Sequence, residues 1–482
     1  MASSLLKVNG GVSGLVKLSQ KVPCVAVLNN RRWKSAKALS YEQAVLNLPE
    51  TKVTTLKNGI RVASENTGII TSTVGLWIEA GSRYENAHNN GVAHFTEHML
   101  FKGTKKRSQA DLEQEVDIIG AHLSSYTSRE HTAFYAKCFQ KDIPKAVEIL
   151  ADITQNSRFA DEDIEKEKGI ILRELQEAET DLEEVVFDHL HAIAYQGTPL
   201  GLSIYGPTEN IKSFKRSNLE EYIGNNFQGP RIVIAAAGGV NHDELVRLAE
   251  QHFGKLGADY RTEVPVLEQA RFTGSELRVR DDYMPVAHVA VAVEGCGWQD
   301  PDSLALLLAS TLVGSWDRSH GGGVNLANQL ARHTAQLNLA HSFQSFNTSY
   351  TDTGLWGVYF VTDKLHIDDF IYNVQHEWMR LCGGVKESEV ERARNQLNTG
   401  LLQHLEGTTP VCDNIGRQIL SYGRRIPLDE LELRLSNINA TTLKNVCMKY
   451  IYDKCPAVVG VGPIENLTDY NRLRAGMYWL RT

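Results

Sequence analysis

Val74–Gly81 reads VGLWIEAG and follows Gly59–Glu65, GIRVASE. Each is a short apolar run of strand length, and the second ends in Glu followed by small residues. The same order returns later as Glu276–Asp282, ELRVRDD, and Val289–Cys296, VAVAVEGC. Each half then closes on a further apolar strand, Ile232–Gly239 (IVIAAAGG) and Ala457–Gly462 (AVVGVG). The offset is 217 residues from Gly59 to Glu276 and 225 from Ile232 to Ala457. A long offset kept at both ends points to a duplicated domain, not a short-period solenoid. Helical periodicity is strongest over Leu112–Ile119, Ala146–Thr154, Glu162–Ala178 and Leu182–Tyr195, with Asp161 expected to cap the third. The class expected is α+β, with antiparallel pairing within each half and helices between the strands.

The chain has 482 residues, of which 42% are hydrophobic and 22% charged. That composition excludes a disordered, collagenous or disulfide-scaffold protein. Seven cysteines are scattered, odd in number and without a C-x-x-C, so they read as reduced thiols. Residues 1–41 hold seven Lys or Arg and no acid. A total of −8 with +7 in that segment leaves −15 for the rest. So acidic a body does not suit nucleic acid, which needs clustered Lys and Arg, and it suits a cationic peptide. The basic, Ser-dotted start has the composition of a mitochondrial transit peptide, assigned to residues 1–40. Cleavage is expected near Arg31–Lys37. No later stretch offers the ~20 apolar residues of a bilayer span. The domains read as 41–255 and 275–482, joined by a linker over 256–274 that carries Pro, Gly and mixed charge.

Gly91–Met99, GVAHFTEHM, holds the chemistry. His94 and His98 are four apart, so both imidazoles project from one helix face, with Glu97 beside them. Two imidazoles can bind Zn²⁺ while a carboxylate takes a proton from water. The order H-x-x-E-H inverts the commoner H-E-x-x-H. Catalytic zinc usually has three protein ligands, and Glu174 in Gly169–Glu177 (GIILRELQE) is the candidate third. Glu167 stands two turns earlier and could support a ligand histidine. By spacing alone, both carboxylates read as the ordinary charges of a surface helix. His189 and His191 fall on different sides of a helix and read as structural. Gly321–Gly323 lacks a following Lys-Ser/Thr, so it is no P-loop.

HFTEH followed by ILRELQE resembles the inverted-motif zinc peptidases of the pitrilysin family. The resemblance runs from about Tyr41 almost to the end. Gly75–Asn86, Phe101–Ser108 (FKGTKKRS), Tyr126–Glu130 (YTSRE), Gly314–Gly323, Ser342–Trp356, Gly416–Gln418 and Met477–Arg481 carry it. It implies two homologous α+β domains, each a mainly antiparallel sheet with helices packed on it, and one Zn²⁺ per chain in the first domain only. It implies His94, His98 and Glu174 as zinc ligands, Glu97 as general base and Glu167 as supporting carboxylate. Glu184 and Asp188 match an acidic pair that receives an arginine two residues before the cut. Phe101 matches the lining of the pocket after it. His122–Tyr126 matches an edge strand that pairs with extended substrate, where Ser124 stands in place of the family's usual Asn. That exchange puts efficiency, not metal binding, in question.

The runs are closest to family members that remove presequences from imported mitochondrial precursors, which work as heterodimers with an α-type subunit. Tyr422–Leu428 (YGRRIPL) and Asp469–Arg474 (DYNRLR) look closer to members that serve as structural core subunits of the respiratory cytochrome bc1 complex. Partners implied are therefore the α-type subunit and cationic presequence peptides or, on the alternative, core protein 2 and other cytochrome bc1 subunits. Gly321–Gly323 would lie at a chamber or subunit interface.

Overall fold

The computed structural model describes residues 49–257 and 267–478. The expected transit peptide lies outside the described residues, as does the middle of the expected linker.

Two six-stranded sheets are formed. The first holds β1 (Lys52–Thr55), β2 (Arg61–Asn66), β3 (Thr71–Ile78), β4 (His122–Thr127), β5 (Thr132–Phe139) and β6 (Ile232–Gly238), in the order β1-β2-β6-β3-β5-β4. The second holds β7 (Glu276–Arg280), β8 (Ala287–Gly295), β9 (Ser315–Asp317), β10 (Ser342–Ser349), β11 (Gly354–Thr362) and β12 (Ala457–Gly462), in the order β7-β12-β8-β11-β10-β9. All pairings are antiparallel except β2–β6 and β7–β12, so the expected class is borne out. The repeat is written into this order. In each half the closing strand sits between the two opening ones, parallel to the first and antiparallel to the second. GIRVASE and VGLWIEAG are therefore not direct neighbours.

β3 reads as a continuous apolar run because both of its faces are covered. One face of the first sheet packs on helices of its own half, including Val92–Leu100, Ile143–Gln155 and His242–Phe253. The other face is covered from the second half. Helix Thr408–Tyr422 lays Val411, Cys412, Ile415 and Ile419 on Ala63, Trp77, Val233 and Ala235. The exchange is reciprocal. Helix Leu182–Ala194 of the first half lays Val186, Leu190 and Ile193 on Ala290, Ala292, Leu355 and Val459 of the second sheet. Each buried aliphatic side chain contributes roughly 1.5–3 kcal/mol. Buried Arg83 adds a polar tie, pairing with Glu130 at 2.6 Å and with Asp352 of the second half at 2.7 Å.

Helix Asp161–Ala178 corrects one local expectation. Its N-cap is Ala160, without a side-chain cap, and Asp161 belongs to the first turn. There its charge still complements the helix dipole. The described cysteines are all free, and only Cys455 is exposed. No helix among the described residues is long and apolar enough to cross a membrane. His191 is a buried structural residue as expected, bonded to the Phe187 carbonyl and the Tyr350 hydroxyl, each at 2.6 Å.

Gly416 tests the exchange. A Cβ there would fall 2.2 Å from the Trp77 ring, whose Nε1 donates to Asp413 at 3.0 Å. Gly416→Val must push the helix off the first sheet. It is expected to lower stability by about 1–3 kcal/mol, read as a shift in the urea midpoint.

Candidate metal centre and active site

The H-x-x-E-H sequence folds as helix Val92–Leu100, and nearly all of it is buried. Gly91 begins the helix at φ 95°, a left-handed conformation that favours glycine. A Cβ there would also meet the Tyr205 carbonyl oxygen at 2.5 Å. Gly91 cannot cap with a side chain, so buried Glu85 supplies the acceptor. Its carboxylate accepts from the backbone N–H of Gly91 (2.8 Å) and Ala93 (2.6 Å) and from Asn90 Nδ2 (2.9 Å). Burial pushes the Glu85 carboxyl up to about 8, while these three donors pull the other way.

The His94 and His98 ring centroids lie 4.7 Å apart. Helix Asp161–Ala178 presents two carboxylates to them from successive turns. Glu174 reaches both imidazoles, Oε2 at 3.1 Å from His98 Nε2 and Oε1 at 3.6 Å from His94 Nε2. Glu167 is buried behind, with Oε1 at 2.9 Å from His98 Nδ1 and Oε2 at 2.8 Å from Lys102 Nζ. The ligand atoms of His94, His98 and Glu174 lie within 4.8 Å of one another, the sole such group among the described residues. Burial alone would lower His98, but its bonds to Glu167 and Glu174 raise it to about 9. Hydrogen bonds from His94 and His98 hold Glu174 well below the usual carboxylate range. Burial raises Glu167, but His98 and Lys102 bring it below its ordinary value. Two imidazole nitrogens and a carboxylate converging on one point form a donor set that can hold a metal ion. The Glu167 bond to Nδ1 leaves His98 Nε2 to face that point, and buried His94 Nδ1 has no hydrogen-bond partner.

Glu97 lies on the same helix, and its carboxylate accepts from Ser125 Oγ at 2.7 Å and Thr127 Oγ1 at 2.5 Å on β4. Strand alternation puts Ser124 with Tyr126 on the opposite face, where Tyr126 donates to Asp413 at 2.6 Å. Phe101 ends the motif helix, with its ring 6.1 Å from that of Phe134. Glu184 and Asp188 share helix Leu182–Ala194 but have different partners. Glu184 accepts from the Tyr205 hydroxyl at 2.9 Å, and Asp188 accepts from Arg129 at 2.8 Å. The Tyr205 ring packs edge-on against His94, with centroids 4.9 Å apart. The metal cluster and the acidic pair are thus adjacent, joined by Tyr205.

Sequence reasoning missed Glu85, Lys102, Ser125, Thr127, Arg129 and Tyr205. Period two on HLSSYT could have grouped Ser125 with Thr127. Tyr205 carries no sequence signal, because it reaches the site from a loop.

Two α+β halves with one inverted H-x-x-E-H centre are the features of a metallopeptidase. Comparison with known proteins agrees. Residues 61–208 match the model of insulinase (peptidase family M16), and residues 213–397 match the M16 inactive domain. The chain belongs to peptidase family M16, as the motif runs led one to expect. It is 61% identical to the mitochondrial-processing peptidase subunit beta of Bos taurus, over 91% of this chain and 89% of that protein. It is 53% identical to the mitochondrial cytochrome b-c1 complex subunit 1 of Bos taurus, over 92% of each. Among solved structures, a chain of complex III2 from Candida albicans with Inz-5 bound superposes with a TM-score of 0.80. That match has 30% identity and covers 88% of this chain and 99% of that one.

Glu85 gives a pH test. The unfolded carboxyl ionises near 4.5 and the folded one near about 8. Between those values the unfolded state binds fewer protons, so this contribution to stability is lost as pH rises. Glu85→Gln does not titrate. The stability lead of the parent protein over the variant is therefore expected to shrink between pH about 5 and 8. Urea unfolding of both at the two pH values reads this directly.

Proposed function

We propose that this chain is the catalytic, β-type subunit of a zinc endopeptidase that removes presequences from imported mitochondrial precursors. One observation carries the reading. His94, His98 and Glu174 converge, with Glu97 and Glu167 on the same two helices, in a chain 61% identical to mitochondrial-processing peptidase subunit beta. One Zn²⁺ fits His94, His98 and Glu174 by donor type and convergence.

When bound, zinc supplies Lewis acidity to the attacking water and to the scissile carbonyl. Glu97 takes the proton from that water and returns it to the leaving amine. Ser125 and Thr127 hold the Glu97 carboxylate in place for both transfers. Glu167, ionised beside Lys102, fixes the orientation of His98. Extended substrate pairs with the free edge of β4 around Ser124, and Phe101 lines the pocket for the side chain after the cut. Glu184 and Asp188 form the site for the arginine two residues before it.

The active unit is a heterodimer with an α-type subunit in the mitochondrial matrix. Residues 1–40 are the chain's own transit peptide, 41–255 the catalytic domain, 256–274 the linker and 275–482 the homologous domain without a metal motif. A second reading, core subunit 1 of the cytochrome bc1 complex at the matrix face of the inner membrane, is favoured by the 53% identity to cytochrome b-c1 complex subunit 1 and by the complex III2 likeness. Purification from mitochondria separates the two, since the chain comes with an α-type subunit, with cytochromes, or with both.

The mechanism predicts a split between variants. Glu97→Gln keeps the shape but cannot accept the proton, so zinc content stays near one per chain while cleavage stops. Glu174→Ala loses zinc as well. Elemental analysis beside a presequence-cleavage assay of the heterodimer checks both, and normal turnover by Glu97→Gln removes Glu97 from the mechanism.

The arginine site predicts non-additivity. Glu184→Gln with Asp188→Asn removes charge-assisted bonds of roughly 1.5–3 kcal/mol, so kcat/KM on arginine-bearing precursors should fall at least ~10-fold. A precursor with alanine in that place has already lost the contact and should be cut equally slowly by both enzymes. Equal slowing of both precursors would show that the pair acts through general charge.

A further inference from the structure

Both oxygens of Glu97 are held by one strand. Ser125 Oγ donates to Oε1 at 2.7 Å and Thr127 Oγ1 to Oε2 at 2.5 Å, so the carboxylate follows β4 wherever it lies. β4 has a strand on one side only, β5, and ends its sheet. Main-chain pairing on one side fixes its register but leaves it free to tilt out of the sheet. The two hydroxyls draw β4 towards the motif helix. On its opposite face it is held at Tyr126, the residue between them, whose hydroxyl donates to Asp413 Oδ1 at 2.6 Å. Asp413 belongs to the second half and is itself fixed. Its helix, Thr408–Tyr422, is seated on the first sheet through Val411, Cys412 and Ile415. Fully buried Trp77 donates to the same Oδ1 at 3.0 Å. Because the Tyr126 proton goes to Asp413, its oxygen is free to accept from His131 Nε2, 3.2 Å away in the turn that leads to β5. His131 Nδ1 in turn lies 3.0 Å from Ser128 Oγ, which closes that turn.

We propose that Asp413 and Tyr126 are positioning residues for the proton-accepting carboxylate. Through this one hydrogen bond the second half sets where β4 lies, and so where Glu97 points. The inference rests on the function proposed above, in which Glu97 takes the proton from water, and it adds the group that keeps Glu97 aimed. A general base works only within hydrogen-bond reach of the proton it takes. A misplacement of about 1 Å can cost about 100-fold in rate. Arg417 of the same helix stands 3.7 Å from Asp413 Oδ2, beyond hydrogen-bond distance, so Oδ1 is the atom that carries the contact. What Tyr126 needs there is an acceptor of the right shape. The half without a metal motif is then part of the catalytic arrangement as well as a cover for the first sheet.

The test uses the heterodimer with an α-type subunit, a presequence peptide, and zinc analysis of each variant. Tyr126→Phe keeps the ring and removes the hydroxyl. It is expected to lower kcat by about 10-fold or more while zinc content stays at the parent value. KM is expected to change by less than about two-fold, since the main-chain edge of β4 stays available. Asp413→Ala should act alike, and Asp413→Asn, which keeps an acceptor in that place, should recover most of the loss. The coupling is the discriminating readout. Ser125→Ala with Thr127→Val frees Glu97 from the strand, so adding Tyr126→Phe to that pair should lower kcat by less than about two-fold further. A merely structural Tyr126 would lower it by the same factor in both backgrounds. If Asp413→Ala does not fold, Tyr126→Phe in the two backgrounds still decides the question. An unchanged kcat in Tyr126→Phe, a loss confined to KM, a loss of zinc, or equal losses in both backgrounds overturns the positioning role. Glu97 remains the base in each of those cases if Glu97→Gln is inactive. Normal turnover by Glu97→Gln, or no cleavage by the parent heterodimer, overturns the functional reading and the positioning role together.

Discussion

Each sheet of this protein has two apolar faces, and the helices of one half cover only one of them. The uncovered face of β3 and β6 would expose Trp77, Val233 and Ala235 to water, and helix Thr408–Tyr422 of the other half prevents that. Helix Leu182–Ala194 does the same for the second sheet. Neither half can bury its sheet alone, so the two fold as one unit. This constraint reaches the active site. Helix Leu182–Ala194 is fixed by its apolar side on the second sheet, and its polar side carries Glu184 and Asp188 beside the candidate metal-ligand cluster of the first. Helix Thr408–Tyr422 reaches the other side of the same centre. Its Asp413 holds Tyr126 on β4, next to the two hydroxyl residues that grip Glu97.

The centre itself is a problem of concentrated charge. His94, His98 and Glu174 meet where Glu97 and Glu167 are also close, and most of these groups are buried. Burial disfavours every ionised form, so each group needs a partner. Glu167 has Lys102 and His98, and Glu97 has two hydroxyls. The motif helix that carries three of these residues has its first N–H groups satisfied by Glu85 rather than by a cap of its own. The cluster is thus held by a shell of groups that have no part in the H-x-x-E-H pattern.

That shell marks the limit of what the sequence makes legible. The strand runs, their repetition and the α+β class could be read because apolar runs of strand length recur in order. His94, Glu97 and His98 could be read because one helical turn places them. Glu174 and Glu167 needed the family resemblance, since seven-residue spacing on a helix also suits plain surface charge. The exchange of helices could not be read. Leu182–Ala194 looks like any amphipathic helix, and nothing in its period says which sheet its apolar side will meet. Tyr205 and Arg129 come from a loop and a turn, whose positions depend on tertiary contacts such as Arg83 with Glu130. Asp161 was expected as a cap because acidic residues favour helix starts, but the N-cap is one residue earlier, at Ala160, and Asp161 opens the first turn.

The two halves share a strand order and differ at the corresponding edge. In the second sheet β10 takes the place that β4 has in the first, next to the long strand that pairs with the core. β9 covers the start of β10, with Ser342, Phe343 and Gln344 set against Asp317, Trp316 and Ser315. Among the described residues β4 has no such cover and ends its sheet. Open edges invite pairing with other chains, and proteins usually blunt them with Pro, Lys or a covering segment. β4, HLSSYT, contains neither Pro nor Lys. The edge left unguarded is the one whose inward face holds Glu97. In the other half, the start of the corresponding strand is covered by β9. β4 thus ends its sheet beside the candidate metal centre, and its main-chain edge is one that an extended segment can join. The same duplicated fold thus ends on six-residue β4 in the half with the candidate metal centre and on three-residue β9 in the other.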